Sequence, residues 1–78
     1  MMRAFVCIES EVETEGDIFK KLREIAGVKE VFIVYDGPYD IVAKVSAENK
    51  SELHSIVFDR IRKIDSIKTT VTLIVTGD

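Results

Sequence analysis

The chain repeats itself. Adding 39 to the apolar positions of its first half carries Ile18 to Val57, Phe19 to Phe58, Leu22 to Ile61, Ile25 to Ile64 and Val28 to Ile67. A shared offset of this kind means that one supersecondary unit is used twice. In the first unit, Ile18, Phe19, Leu22, Ile25 and Ala26 form a stripe of helical period. Leu53, Ile56, Val57, Ile61 and Ile64 do the same in the second. Around these stripes lie four short runs rich in Val, Ile, Phe and Thr, at 3–8, 28–35, 39–46 and 68–76, which read as strands. Start and stop signals agree. Thr14-Glu15-Gly16-Asp17 has the form of a capping box, and Asn49 with Glu52 three residues on suggests a second cap. Gly27 stands where the first helix must end.

The resulting order is β-α-β, β-α-β. Two right-handed split β-α-β units place both helices on one face of a four-stranded antiparallel sheet. The expected fold is therefore α+β and ferredoxin-like, with residues 1–78 forming a single domain. At 78 residues and 46 % hydrophobic, the chain has enough apolar material for one core. Eleven basic against fourteen acidic side chains give a net charge of −3 with no cationic block, which argues against direct binding of nucleic acid. One cysteine excludes an internal disulfide and any multi-cysteine metal centre, and no cofactor or metal is expected. The sequence opens on Met1-Met2-Arg3 without an apolar leader and has no run long enough to span a bilayer, so a soluble cytoplasmic protein is the expectation.

The strands are too apolar for a sheet with one wet face. Such strands alternate apolar with polar residues. Here Phe5 and Cys7 stand opposite Ala4, Val6 and Ile8, and the second strand reads Val31-Phe32-Ile33-Val34. Exposing a large apolar side chain forgoes roughly 1.5–3 kcal/mol of burial. A contiguous patch of that sort marks an interface. The helix-free face is expected to pack on the same face of a second copy, as a homodimer.

One loop carries most of the chemistry. Between the second and third strands stand Asp36, Gly37, Pro38, Tyr39 and Asp40. Glycine allows close approach of a ligand to the backbone, carboxylates accept from an ammonium, and free N–H groups receive a carboxylate. That set suits a free amino acid, although Asp-Gly-Pro is also ordinary turn chemistry.

The chain resembles the effector-binding domain of the Lrp/AsnC family of transcriptional regulators. The resemblance rests on Ile25-Ala26-Gly27-Val28, on Gly37-Pro38-Tyr39-Asp40, and on the threonine-rich end Thr69-Thr70-Val71-Thr72. It covers nearly the whole chain; Ala26 stands where the family has proline. It implies a domain that dimerises through its sheet, with dimers joining into rings and an amino acid or similar small molecule bound between subunits. Carried over by position, Gly37, Tyr39 and Asp40 match the loop motif, with Asp36 adjacent, while Thr70 and Thr72 match final-strand threonines near the pocket. The family's N-terminal helix-turn-helix domain has no counterpart here, so the resemblance implies a stand-alone effector domain. It also allows a ligand-free module that co-assembles with full-length regulators; an ACT-like amino-acid-binding domain would share the strand order.

Other residues support plainer readings. His54 lacks an orienting carboxylate on its helical face, and Cys7 has no base nearby in sequence. Glu9, Glu11, Glu13 and Glu15 lack the spacing of a calcium loop and read as a solvated connection. An α/β-barrel-type catalyst would need His, Asn or Arg on the sheet face, which these strands barely offer.

Overall fold

A computed structural model describes residues 1–76. The elements run β1 (Met2–Ser10), α1 (Glu15–Arg23), β2 (Val28–Ile33), β3 (Ile41–Ala47), α2 (Lys50–Ser55) and β4 (Ile67–Ile74). α2 continues through Ile56–Ile61 as a π-helical stretch, where the Arg62 N–H reaches back five residues to the Val57 carbonyl at 2.9 Å. The strand order is β2-β3-β1-β4, every neighbouring pair is antiparallel, and this is the ferredoxin-like arrangement.

The period-2 pattern decides which side chains meet the helices. Along β1, Ala4, Val6 and Ile8 are fully buried, as are Ile41, Ala43 and Val45 along β3. α1 adds Ile18 and Leu22 to the same core, and the second helix adds Leu53, Ile56, Val57 and Ile61. Cross-strand register shows the opposite face. Phe32, Val42, Cys7 and Val71 form one row, and Glu30, Lys44, Phe5 and Leu73 the next. In the single chain Phe32, Val71 and Leu73 are exposed on that face.

The repeat extends to the backbone. Gly27 leaves α1 at φ 98°, and Ser66, 39 positions later, leaves the second helix at φ 76°. Each exit is tied to a strand end: the Gly27 carbonyl accepts from Ser46 N–H at 2.9 Å, and the Ser66 carbonyl from Glu11 N–H at 2.8 Å. Space is tight at the first exit. A Cβ on Gly27 would lie 2.5 Å from Ile56 Cδ1.

Two local expectations divide. Asn49 caps α2, its Oδ1 accepting from Glu52 N–H at 2.8 Å. Thr14 precedes α1 without a side-chain cap; its hydroxyl donates to the Glu11 carbonyl at 2.7 Å and tightens the connection instead. Among the described residues no helix is long and apolar enough to cross a membrane.

Candidate functional site

Asp40 ties three strands together at one end of the sheet. Its N–H donates to the Ile8 carbonyl of β1 at 2.8 Å, and its carbonyl accepts from Val34 N–H at 2.9 Å, closing the β2–β3 loop. Its side chain reaches the end of β1. Oδ2 accepts from the Ser10 N–H at 2.9 Å and from the Ser10 hydroxyl at 3.1 Å. Ser10 is the one buried polar residue among those described, so the carboxylate satisfies two donors that would otherwise be stranded. Both bonds fall on Oδ2, which leaves Oδ1 without a donor among the described residues. Asp40 is thus structural first, and any ammonium would bind at the remaining oxygen.

The rest of the loop is open. Asp36, Gly37 and Pro38 are exposed, and Tyr39 is half-buried. The left-handed backbone of the turn falls on Asp36, at φ 60°, not on Gly37. Nothing lies within 4 Å of a Cβ built on Gly37, so its missing side chain leaves the backbone accessible rather than relieving a clash.

Beside the loop is a cleft of about 340 Å³ lined by Glu15, Ile33, Val34, Tyr35 and Asp40. Two carboxylates and a phenol ring face an apolar floor of strand side chains. Glu15 arrives from the first turn of α1, and Tyr35 from the exit of β2. The aromatic residue lining this cleft is Tyr35; Tyr39 of the loop motif is half-buried beside it and is not among the lining residues.

The threonines are not equivalent. Thr70 shares the row Ile33–Ile41–Ile8–Thr70 with the root of the loop, on the helix-facing side. β1 lies between it and β3, which sets it about 10 Å from Ile41 across two strand spacings. Thr72 is one inward-facing position further along. It lines a different feature, an apolar groove of about 150 Å³ between the second helix and β4, with Leu53, Val57, Phe58, Ile74, Lys50 and His54. Asp40 and Thr72 therefore belong to separate concavities within one chain. His54 stacks on Phe58, ring centroids 4.3 Å apart, with the Arg62 guanidinium 5.1 Å from the Phe58 ring.

Sequence patterning misses three contributors. Ser10 is hidden because it continues the buried alternation Ala4-Val6-Ile8 as a polar residue. Glu15 reads as part of the acidic connection, and Tyr35 as part of the second strand. Among the described residues no group of three His, Cys, Asp or Glu side chains is placed to hold a metal ion.

The structure is thus a small α+β domain: a repeated β-α-β fold with an open sheet face and a polar loop pinned at one end. The chain belongs to the Lrp/AsnC ligand binding domain family, which matches residues 3–77. This is a regulatory family, not a family of enzymes. The chain is 36 % identical over 74 residues to an HTH-type transcriptional regulator of Pyrococcus furiosus, covering 91 % of the chain and 49 % of the regulator. It thus spans about half the length of that curated relative. A crystal structure of a Thermus thermophilus protein superposes with a TM-score of 0.94 at 31 % identity, covering 100 % of this chain and 96 % of that one. A transcriptional regulator of Neisseria meningitidis, solved as an L-Met complex, shares the fold alone, with a TM-score of 0.87 at 13 % identity over 99 % of this chain and 51 % of that one.

Proposed function

We propose that this domain senses a free amino acid or a similar small molecule for transcriptional regulation in the cytoplasm, working as a homodimer, with the effector held at a subunit interface beside the β2–β3 loop. The observation that carries the reading is the loop anchored by Asp40. Its hydrogen bonds to β1 fix the loop in place, while Oδ1 and the exposed backbone around Gly37 remain available beside a cleft of amino-acid size. Asp40 Oδ1 and Glu15 would receive the ammonium, backbone N–H groups near Gly37 the carboxylate, and Tyr35 and Tyr39 would bound the side chain. Asp36 is exposed at the loop tip and contributes field rather than a fixed contact. Thr70 and Thr72 would reach an effector only from a neighbouring copy, because within one chain they lie away from the cleft. The L-Met complex of the Neisseria regulator supports an amino acid as the ligand class for this fold.

The open sheet face supports self-association, since Phe32, Val71 and Leu73 would be covered by the same residues of a partner. That face also suits mixed assembly with full-length regulators, because relatives about twice the length match across this whole domain.

A thermal-melt screen against the twenty amino acids tests the sensing role. A ligand at a hundred times its Kd adds about 2.7 kcal/mol, a shift of several degrees in a domain this small. If none of them moves the midpoint, amino-acid sensing is excluded. Pull-down from a native lysate then separates the co-assembly reading, which requires a DNA-binding partner in the captured material.

A further inference from the structure

Aspartate or asparagine precedes glycine once in the chain, at Asp36-Gly37 in the β2–β3 loop. That order puts a carboxyl carbon and a backbone nitrogen within reach of closing a five-membered ring, and glycine has no side chain to obstruct the closure. The local structure leaves both groups unrestrained. Asp36 and Gly37 are exposed, and neither lies in a strand. Asp36 sits at φ 60°, outside the extended range that strand pairing uses. Among the described residues, no hydrogen bond or ion pair holds the Asp36 carboxylate or the Gly37 N–H. Nothing lies within 4 Å of a Cβ built on Gly37. The other aspartates are held back. Asp40 Oδ2 accepts from Ser10, and the next residue is β-branched Ile41. Asp17 and Asp59 lie in helices, and Asp59 also accepts from the Ser55 hydroxyl. Asp65 is exposed outside any strand or helix, but its neighbour Ser66 carries a side chain and its carbonyl is tied to Glu11.

We propose that Asp36-Gly37 is a self-modification site, at which the loop backbone isomerises to isoaspartate through a cyclic imide. The Gly37 nitrogen attacks Asp36 Cγ. An N–Cγ bond forms as the Cγ–OH bond breaks, and the amide hydrogen leaves with that hydroxyl as water. Water then opens the ring at either carbonyl. Attack at Cγ restores aspartate. Attack at the main-chain carbonyl carbon of Asp36 breaks its bond to the Gly37 nitrogen and leaves Gly37 joined through the side chain. No electron is transferred, and water is the only co-reactant. The product carries Cβ in its main chain and a free carboxylate on Cα, so the loop gains one backbone atom while its ends stay pinned by the Val34–Asp40 hydrogen bond. Both the Gly37 N–H and the Asp36 charge are displaced, so isomerised copies hold an effector more weakly; this consequence rests on the effector reading above.

Ageing the 78-residue chain in heavy-oxygen water at neutral pH, without amino acids, tests the chemistry alone. Each passage through the imide takes up one oxygen from solvent, so the tryptic peptide Glu30–Lys44 gains mass whichever way the ring opens. Electron-transfer fragmentation then assigns the label and the isoaspartyl link to residue 36. The expected rate at Asp36 is at least about tenfold that at Asp40 or Asp65, because Asp36 alone precedes glycine. Gly37→Ala slows it at least about fivefold by crowding the attacking nitrogen. Asp36→Glu abolishes it, since closure would need a larger ring. A second readout needs no variant: methyl transfer from S-adenosylmethionine by an isoaspartyl-specific carboxyl methyltransferase rises with age in step with the label. An Asp36 rate no greater than that of Asp65, a Gly37→Ala chain that labels as fast as wild type, or methyl acceptance that does not rise with age overturns the site. None of these outcomes bears on the amino-acid melt screen, which reads the effector role on fresh protein.

Discussion

Gly27 and Ser66 hold equivalent left-handed positions, yet a substitution at each should act in opposite directions. Alanine at 27 would keep a φ of 98° that L-residues avoid, and would push its Cβ against Ile56 Cδ1 and, at 3.3 Å, the Ser46 carbonyl oxygen. Strain and overpacking together cost about 2–4 kcal/mol, so Gly27→Ala should lower the melting midpoint by at least about 10 °C. Ser66 already bears the backbone penalty, at φ 76°. Ser66→Gly relieves it, less the extra freedom that glycine gives the unfolded chain, for a net gain of about 0.5–1 kcal/mol measured in the same melt. Asp40 separates framework from ligand. Asp40→Ala strands the Ser10 donors and should cost about 2–4 kcal/mol. Asp40→Asn retains an acceptor oxygen and should cost about 1 kcal/mol. If the carboxylate also holds an ammonium, the Asn variant melts only several degrees below wild type but loses most of its ligand-induced shift.

The two helix starts differ in a way that a stability measurement can resolve. Asn49 accepts the Glu52 N–H, so Asn49→Ala should destabilise by about 1 kcal/mol. Thr14 caps nothing with its side chain, and its exposed bond to Glu11 is worth less, so Thr14→Ala should cost under about 0.5 kcal/mol in urea denaturation. From sequence the two look alike, because a threonine hydroxyl can turn either to the helix or to the preceding carbonyl, and only the path of the connection decides. The strands and stripes are legible for a firmer reason: period and offset survive a shift of a residue or two at the ends. The strand bounds shift in just that way, with β2 ending at Ile33 instead of 35 and β3 starting at Ile41 instead of 39. The π-helical stretch leaves no sign, because Ile56, Val57 and Ile61 fit an ordinary helical stripe equally well. The loop at 36–40 is legible from glycine, proline and aspartate, but its internal division of labour is not. Which carboxylate is anchored depends on the end of β1, 30 positions from Asp40 at Ser10, while the positive φ at Asp36 and the place of Tyr35 in the cleft follow from the path of the loop, which composition does not specify.

The largest consequence of the strand composition concerns how many chains make the working particle. On the helix-free face, two successive rows bring Phe32, Val42, Cys7 and Val71 beside Phe5 and Leu73. Their continuity across all four strands separates this patch from the scattered apolar residues that any surface carries. The charges interrupting it are compatible with pairing. Lys44 Nζ lies 3.5 Å from Glu30 Oε1, so that row brings its own counter-ion, and Lys68 does the same for Glu9 at 3.7 Å near the margin. A standard interface takes about 800 Å² from each partner, roughly one-sixth of the 5135 Å² this chain exposes, which a single sheet face can supply. Under two-fold symmetry one substitution enters the interface twice. Leu73 is 54 % exposed and points from the last strand into this face, so a charge there leaves the isolated fold nearly unaffected. Leu73→Glu should therefore shift the protein to an 8.8 kDa particle in light scattering at micromolar concentration, with its secondary structure intact by circular dichroism. Cys7 on the same face supplies an independent reading: its thiol should react slowly with a maleimide in the wild-type assembly and at least about tenfold faster in the Leu73→Glu variant. A wild-type chain that already sediments at 8.8 kDa with a freely reactive Cys7 would show that the apolar face is simply exposed, and the subunit-interface site would lose its physical basis.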